Sequence, residues 1–219
     1  RLVPLGAMAM QHPLLAVEQL RHAVKQLGFK GVEISSAIAG TELSDRRFDP
    51  VWAAAEALGA LIFIHPLGCS LNERLAPAYL SNTVGQPVEH AVALSHLIFG
   101  GVLDRHSGLK VVAAHGGGYL PVHMGRCDHG WHQRSDARTC EHLPSSYLKR
   151  LHFDSLVFDP RDLATLIERV GASQVVLGTD YPFDMGHYDI HGLLAQIPAL
   201  SAADCRAILS GNLERLLGI

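Results

Sequence analysis

The sequence predicts an α/β fold, a parallel sheet of about six strands laid out on the plan of a (β/α)8 TIM-barrel. Three observations carry that expectation. Short apolar runs such as ALIFIH, LKVVAAH and QVVLG alternate with stretches whose apolar residues recur every three or four positions, and strands separated by helices pair in parallel through crossovers. His65, His115 and Asp180 each stand where an apolar run stops, and a barrel gathers its chemistry at the C-terminal ends of its strands. No GxGxxG follows an early strand, so the open doubly wound alternative lacks its usual nucleotide signature. With 219 residues, 48% of them hydrophobic, the chain can bury a large core, most simply as a single domain over residues 1–219. A complete barrel takes about 250 residues. The chain opens on Arg1 and enters an apolar run at once, as expected of a barrel truncated to its last six strands.

In chain order, Leu2 to Gly6 reads as the first strand. Pro13 opens a helix in which Val17, Leu20, Val24 and Leu27 share one face, with Gly28 as its C-cap. Gly31 to Ser35 is the next strand, and a helix from about Pro50 to Leu58 is closed by Gly59. Ala60 to His65 is a buried strand. Residues 66–86, rich in Gly, Pro and Asn, read as a long functional loop or lid. The helix starting at Pro87 is expected to bury Val88, Val92, Ser95, Ile98, Phe99 and Val102, and to lead into the strand Leu109 to His115. Residues 133–146 are loop-like. Leu151 to Leu156 reads as a strand, Arg161 to Val170 as a helix and Gln174 to Gly178 as the last strand. Two helices close the chain, the second capped by Ser201 with Asp204 three residues on.

The segment that organises the rest is Val111 to Arg126, VVAAHGGGYLPVHMGR. Four apolar residues in a row suit a strand covered on both faces. His115 ends it, and three glycines follow, leaving room for a ligand or a close backbone turn and permitting positive φ. The alternative is a satisfied buried histidine beside a tight turn. Of the other histidines, His12, His22, His90, His96 and His106 fall on helices or caps and read as surface or satisfied residues; His123 and His132 stay unassigned. Asp154, on the strand before last, either orients a ligand histidine or hydrogen-bonds a loop.

Composition excludes several classes. A net charge of −3 without basic runs gives nucleic acid no electrostatic footprint. Cys69, Cys127, Cys140 and Cys205 form no CxxC pair, which fits a reducing compartment and a cytoplasmic location. No apolar run approaches about 18 residues, so no membrane span is expected.

IFIHP at Ile62 to Pro66, AHGGG at Ala114 to Gly118, GRCDHG at Gly125 to Gly130 and GTDYPF at Gly178 to Phe183, in this order and spacing, resemble the amidohydrolase-related decarboxylases. The resemblance covers essentially the whole chain, NTVGQP and the terminal GNLERLLG included. Family chains begin with a strand carrying an HxH metal pair and a second strand; neither is in this sequence, so the resemblance starts at the third barrel strand.

What the resemblance implies can be stated residue by residue. His65 and Asp180 are similar to metal ligands, for one Zn2+ or another divalent ion such as Mn2+ per site, and a bridging lysine for a second metal is lacking in the strand GVEIS. That agrees with the chemistry of an open site built from His and carboxylate donors. His115 is similar to the general acid/base, with Asp180 also catalytic. An imidazole titrating near neutral pH suits proton transfer to the carbon that carbon dioxide leaves. Phe183 is placed for packing on a planar substrate, and His129 for lining the site. Arg126 matches an arginine that clamps the substrate carboxylate across a homodimer interface; the alternative is a surface arginine. The implied reaction is the metal-dependent decarboxylation, without an organic cofactor, of a small unsaturated or aromatic carboxylic acid. The alternatives are hydrolysis of an amide or lactone on the same scaffold, and a catalytically incomplete assembly partner. One departure is local: Pro66 is followed by Leu67 and Gly68 where close relatives have an aromatic, which changes a substrate-facing wall.

Overall fold

The computed structural model describes residues 2–198 and 200–219. Six parallel strands form one sheet: β1 (Gly6–Ala7), β2 (Gly31–Ile34), β5 (Leu61–Ile64), β6 (Lys110–Ala113), β7 (His152–Asp154) and β8 (Val175–Val176). Between β2 and β5, the two-residue strands β3 (Ala37–Ile38) and β4 (Thr41–Glu42) make a separate antiparallel ribbon. Strand order in the large sheet follows chain order without reversal. A doubly wound sheet would reverse direction at a switch point, so the topology is that of a barrel.

Each crossover carries a helix, as parallel pairing requires. These are α1 (Pro13–Lys25), α2 (Asp49–Leu58), α3 (Gln86–Phe99) continued by the turn α4 (Val102–Arg105), α5 (Leu120–Gln133) and α6 (Pro160–Val170). Then α7 (Ile190–Ala195), α8 (Ala202–Arg206) and α9 (Asn212–Leu217) end the chain. All five crossover helices carry Pro in the first turn, and Gly59 closes α2 at φ 60. The helix α1 stops at Gln26, two residues before the expected Gly28.

Alternation along the strands sorts side chains onto two faces. Val32, Ile34, Ile62, Ile64, Val111, Ala113, Phe153 and Val175 face the helices and join the main core, which also takes in Trp52 and Leu94. Each fully buried aliphatic side chain there contributes about 1.5–3 kcal/mol. On the other face Leu61, Val112 and Val176 pack against Leu216 of α9, and Lys110 Nζ donates to the Leu216 carbonyl at 2.8 Å. These contacts put α9 across the N-terminal ends of the strands and leave the C-terminal ends open.

Three expectations need correction. Of the run Leu2 to Gly6 only Gly6 pairs as strand, together with Ala7 just beyond it. The last strand is two residues long, because beyond Val176 the Gly178 N–H is held at 3.2 Å by the Ser155 hydroxyl instead of the ladder. The buried face of α3 is Glu89, His90, Ala93, Leu94, Leu97 and Ile98, while Val92 is 39% exposed. Residues 66–86 are wound into short helical turns over Asn72–Leu75, Pro77–Tyr79 and Ser81–Gly85.

Candidate metal and catalytic site

The turn after β6 runs through His115, Gly116, Gly117 and Gly118 at φ 52, 61, 72 and 65. Four consecutive residues on the left-handed side are tolerable only because three lack a Cβ. Packing demands the same: a Cβ would meet Val157 at 2.5 Å on Gly116, the Phe153 ring at 2.7 Å on Gly117 and the Pro87 carbonyl oxygen at 2.0 Å on Gly118. The glycines therefore serve close approach to α3 and β7, and Gly116 and Gly118 also line a cavity beside His115. His115 alone bears a side chain in this strained run, a placement typical of functional residues.

Asp154 fastens the turn. Its Oδ1 accepts from the Gly116 and Leu156 N–H groups, each at 3.0 Å. Burial pushes its carboxyl up to about 6, against the lowering effect of those backbone donors. Of its two expected roles, hydrogen bonding to a loop is the one seen.

His65 follows β5 directly and donates its backbone N–H to Ile34 at 3.0 Å. Asp180 lies four residues beyond β8 at φ 55. His65 Nε2 stands 3.8 Å from Asp180 Oδ1, and the donor atoms of His65, His115 and Asp180 all lie within 4.8 Å of one another. None of the three side chains makes a hydrogen bond to another described residue. Two imidazole nitrogens and a carboxylate oxygen, partly buried and otherwise uncommitted, fit a divalent transition-metal ion.

The His115 ring meets the His65 ring at 4.8 Å and 73°, and the His90 ring at 5.2 Å and 87°. Burial, and then repulsion from His65, lowers the His115 pKa to about 4. Held below the usual imidazole range in this way, the ring is neutral at pH 7. His90 was read as a surface or satisfied histidine. It is 0% exposed and neither ring nitrogen has a partner among the described residues, and burial holds its pKa well below 6.5.

Two cavities, of about 560 and 310 Å³, share His115 and Asp180 as a common wall. The larger is bounded by Asn82 and Thr83 from the segment before α3, by Gln86 at the start of α3, by Tyr119 and His123 around α5, and by Phe158, Asp162 and Thr165. The smaller contains His65, Leu67, Phe63, Glu33, Tyr181 and Phe183. Phe183 is 62% exposed, so it sits at a lip and not in the core. Arg126 and His129 lie on the exposed side of α5 and line neither cavity. Among the described residues no lysine or arginine lines either one.

A barrel-type sheet with metal-capable donors at three strand ends defines a class of enzyme scaffold, and a family model for amidohydrolases matches residues 1–219. The chain belongs to the amidohydrolase family. It is 36% identical over 221 residues to the 2-amino-3-carboxymuconate-6-semialdehyde decarboxylase of Dictyostelium discoideum, an alignment that covers 100% of this chain and 62% of that protein. The chain therefore spans under two thirds of that relative's length. The 5-carboxyvanillate decarboxylase of Sphingomonas paucimobilis superposes with a TM-score of 0.91 at 25% identity, over 100% of this chain and 67% of that one. A dihydroxybenzoic acid decarboxylase from a Polaromonas species, with bound manganese and 2-nitroresorcinol, gives a TM-score of 0.89 at 25% identity, over 100% and 69%. No helix among the described residues is long and apolar enough to cross a membrane.

Proposed function

We propose that this chain is the catalytic part of a metal-dependent carboxy-lyase that removes carbon dioxide from a small unsaturated or aromatic carboxylic acid without an organic cofactor. The observation that carries this reading is the convergence of His65, His115 and Asp180 within 4.8 Å at three strand ends. The relatives named above, decarboxylases of planar acids, support the substrate class. Residues 1–219 act as one domain in this reading, supported by a core running from Met10 to Ile208.

His65 and Asp180 would hold one divalent cation, zinc or manganese, which when bound supplies Lewis acidity toward an oxygen of substrate or water. The remaining work falls to the chain. His115 takes up a proton from solvent and delivers it to the carbon from which carbon dioxide departs: the C–C bond breaks, its electron pair passes into the conjugated system and then takes the proton from the His115 ring, forming the new C–H bond and leaving the imidazole neutral. The apolar and aromatic lips, Phe183 among them, bind the planar face and limit water around the reacting carbon. Leu67 in the smaller cavity gives this chain an aliphatic wall beside His65.

The substrate carboxylate has no lysine or arginine in the cavities described. Arg126 in this reading serves the neighbouring subunit of a homodimer, supported by its exposure and its distance along α5 from the cavity wall. His129 would lie beside it in that interface. A cytoplasmic setting is supported by four unpaired cysteines.

The test is anaerobic release of carbon dioxide from planar carboxylic acids by metal-loaded protein without added organic cofactor. Release that ceases on chelation and returns with Zn2+ or Mn2+ is expected; hydrolysis of esters or amides without carbon dioxide release would overturn the reading. For Arg126, His115→Ala and Arg126→Ala subunits, each inactive alone, should regain about a quarter of full activity when co-expressed, since half the dimers carry one intact site.

A further inference from the structure

His90 is unfavourable for the fold where it stands. A buried imidazole with two unpaired nitrogens forfeits its hydration without compensation, and an apolar residue of similar size would be neutral or stabilising. Its ring nevertheless stands perpendicular to that of His115, with centroids 5.2 Å apart and planes at 87°. His115 in turn lacks the usual means of fixing a ring. Its nitrogens have no hydrogen-bond partner among the described residues, and its backbone enters three glycines at positive φ. Among the described residues two rings touch it, those of His65 and His90. His65 belongs to the donor set, which leaves His90 as the support from the core.

We infer that His90 is a positioning residue for the His115 imidazole, holding that ring in a single orientation by presenting an N–H edge to its face. The inference rests on the reading of His115 as the acid/base. An N–H edge directed at an aromatic face is a weak interaction, yet it is directional, and orientation is what a proton-transferring ring requires.

The experiment uses the full chain labelled with 13C and 15N in histidine, metal-free and loaded with Zn2+, with ring signals of His115 identified by their loss in His115→Ala. His90→Leu removes ring and nitrogens; His90→Phe keeps a ring and removes the nitrogens. In the parent, His115 should give one sharp set of ring signals in a single tautomer. In both variants these signals should broaden or double while zinc per chain is unchanged. His90→Leu should melt higher by about 2–4 °C, because two unpaired buried atoms are gone. Where carbon dioxide release is measurable, kcat should fall about 10-fold or more with KM within about twofold. His115 signals that stay single and sharp in His90→Leu, or that are unaltered in His90→Phe, would overturn the inference, as would loss of zinc from either variant, which would make His90 a ligand. The ring spectra and zinc content decide the matter even if no acid is decarboxylated, so failure of the proposed reaction and failure of the positioning role remain distinguishable.

Discussion

Replacing Gly118 by alanine is expected to cost about 2–6 kcal/mol and to displace His115. Gly118 sits at φ 65 and ψ −132, a pairing that penalises any Cβ by about 1–3 kcal/mol. The new Cβ would stand 2.0 Å from the Pro87 carbonyl oxygen and 2.8 Å from its carbonyl carbon. Both are backbone atoms in the first turn of α3, so no rotamer change relieves the overlap, and overpacking of this kind adds about 1–3 kcal/mol. Relief comes only by moving the His115–Gly118 turn away from α3, which separates the His115 ring from His90. Urea unfolding followed by circular dichroism measures the loss against a total stability of about 5–15 kcal/mol. Gly125→Ala is the control, since nothing lies within 4 Å of a Cβ there and alanine in a helix interior should stabilise by about 0.5–1 kcal/mol. A Gly118→Ala protein within about 1 kcal/mol of the parent would refute the close-approach argument.

Metal binding sorts the three donors: His65→Ala and Asp180→Ala should lose zinc in a calorimetric titration, whereas His115→Ala should retain it and lose about 100-fold or more in kcat. Zinc-free His115→Ala protein would make His115 a ligand. Asp154→Ala strands the Gly116 and Leu156 N–H groups and should cost about 2–5 kcal/mol, while Asp154→Asn keeps an acceptor and should stay within about 1 kcal/mol; equal losses would sink this account of the carboxylate. Acid should weaken the fold through His152, whose pKa burial, with help from Arg215, lowers to about 4. The unfolded chain takes up this proton near pH 6.5 and the folded chain only near 4, so the contribution is complete above pH 6.5 and is lost as pH falls toward 4, by about 3 kcal/mol. Unfolding curves of His152→Gln across that range should fall less steeply than the parent's; parallel curves would remove His152 as the cause.

Much of the fold was legible because strand ends and helix starts are written in residues with few alternatives. Apolar four-residue runs such as LIFI have nowhere to go but a sheet covered on both sides, and prolines opening α1, α3, α5 and α6 fix where the crossovers begin. Strand length was less legible. Gln174 to Gly178 looks like one continuous strand, yet pairing stops at Val176 because a Cβ at Gly178 would lie 2.5 Å from Asp154 and the Ser155 hydroxyl takes the Gly178 N–H instead. That exchange depends on a neighbouring strand, and no local pattern announces it.

The candidate site was legible where a polar residue interrupts an apolar run, as at His65, His115 and Asp180, and illegible where the polar residue is itself part of a buried stripe. In α3 the apolar residues Val88, Val92, Ile98 and Phe99 invite one phase, and the structure adopts another, with Glu89 and His90 inside. Glu89 is buried because it has partners from two loops: the Ser36 hydroxyl at 3.2 Å, the Ser70 N–H at 2.6 Å and the Ser70 hydroxyl at 2.5 Å. Those bonds tie the segments after β2 and β5 to the start of α3, and so fix the rotation of the helix that delivers His90 to His115. Spacing alone does not choose between the two phases, since Val88, Val92, Ser95 and Phe99 keep the three-and-four rhythm as well as His90, Ala93, Leu94 and Leu97 do. Hydropathy argued against the adopted phase only through two residues at the end of the helix nearest the C-terminal strand ends. In a barrel those ends are where buried polar groups find partners, so there a polar residue in step with apolar ones can belong to the buried face, and the polar residues a helix turns inward are the ones to examine for function.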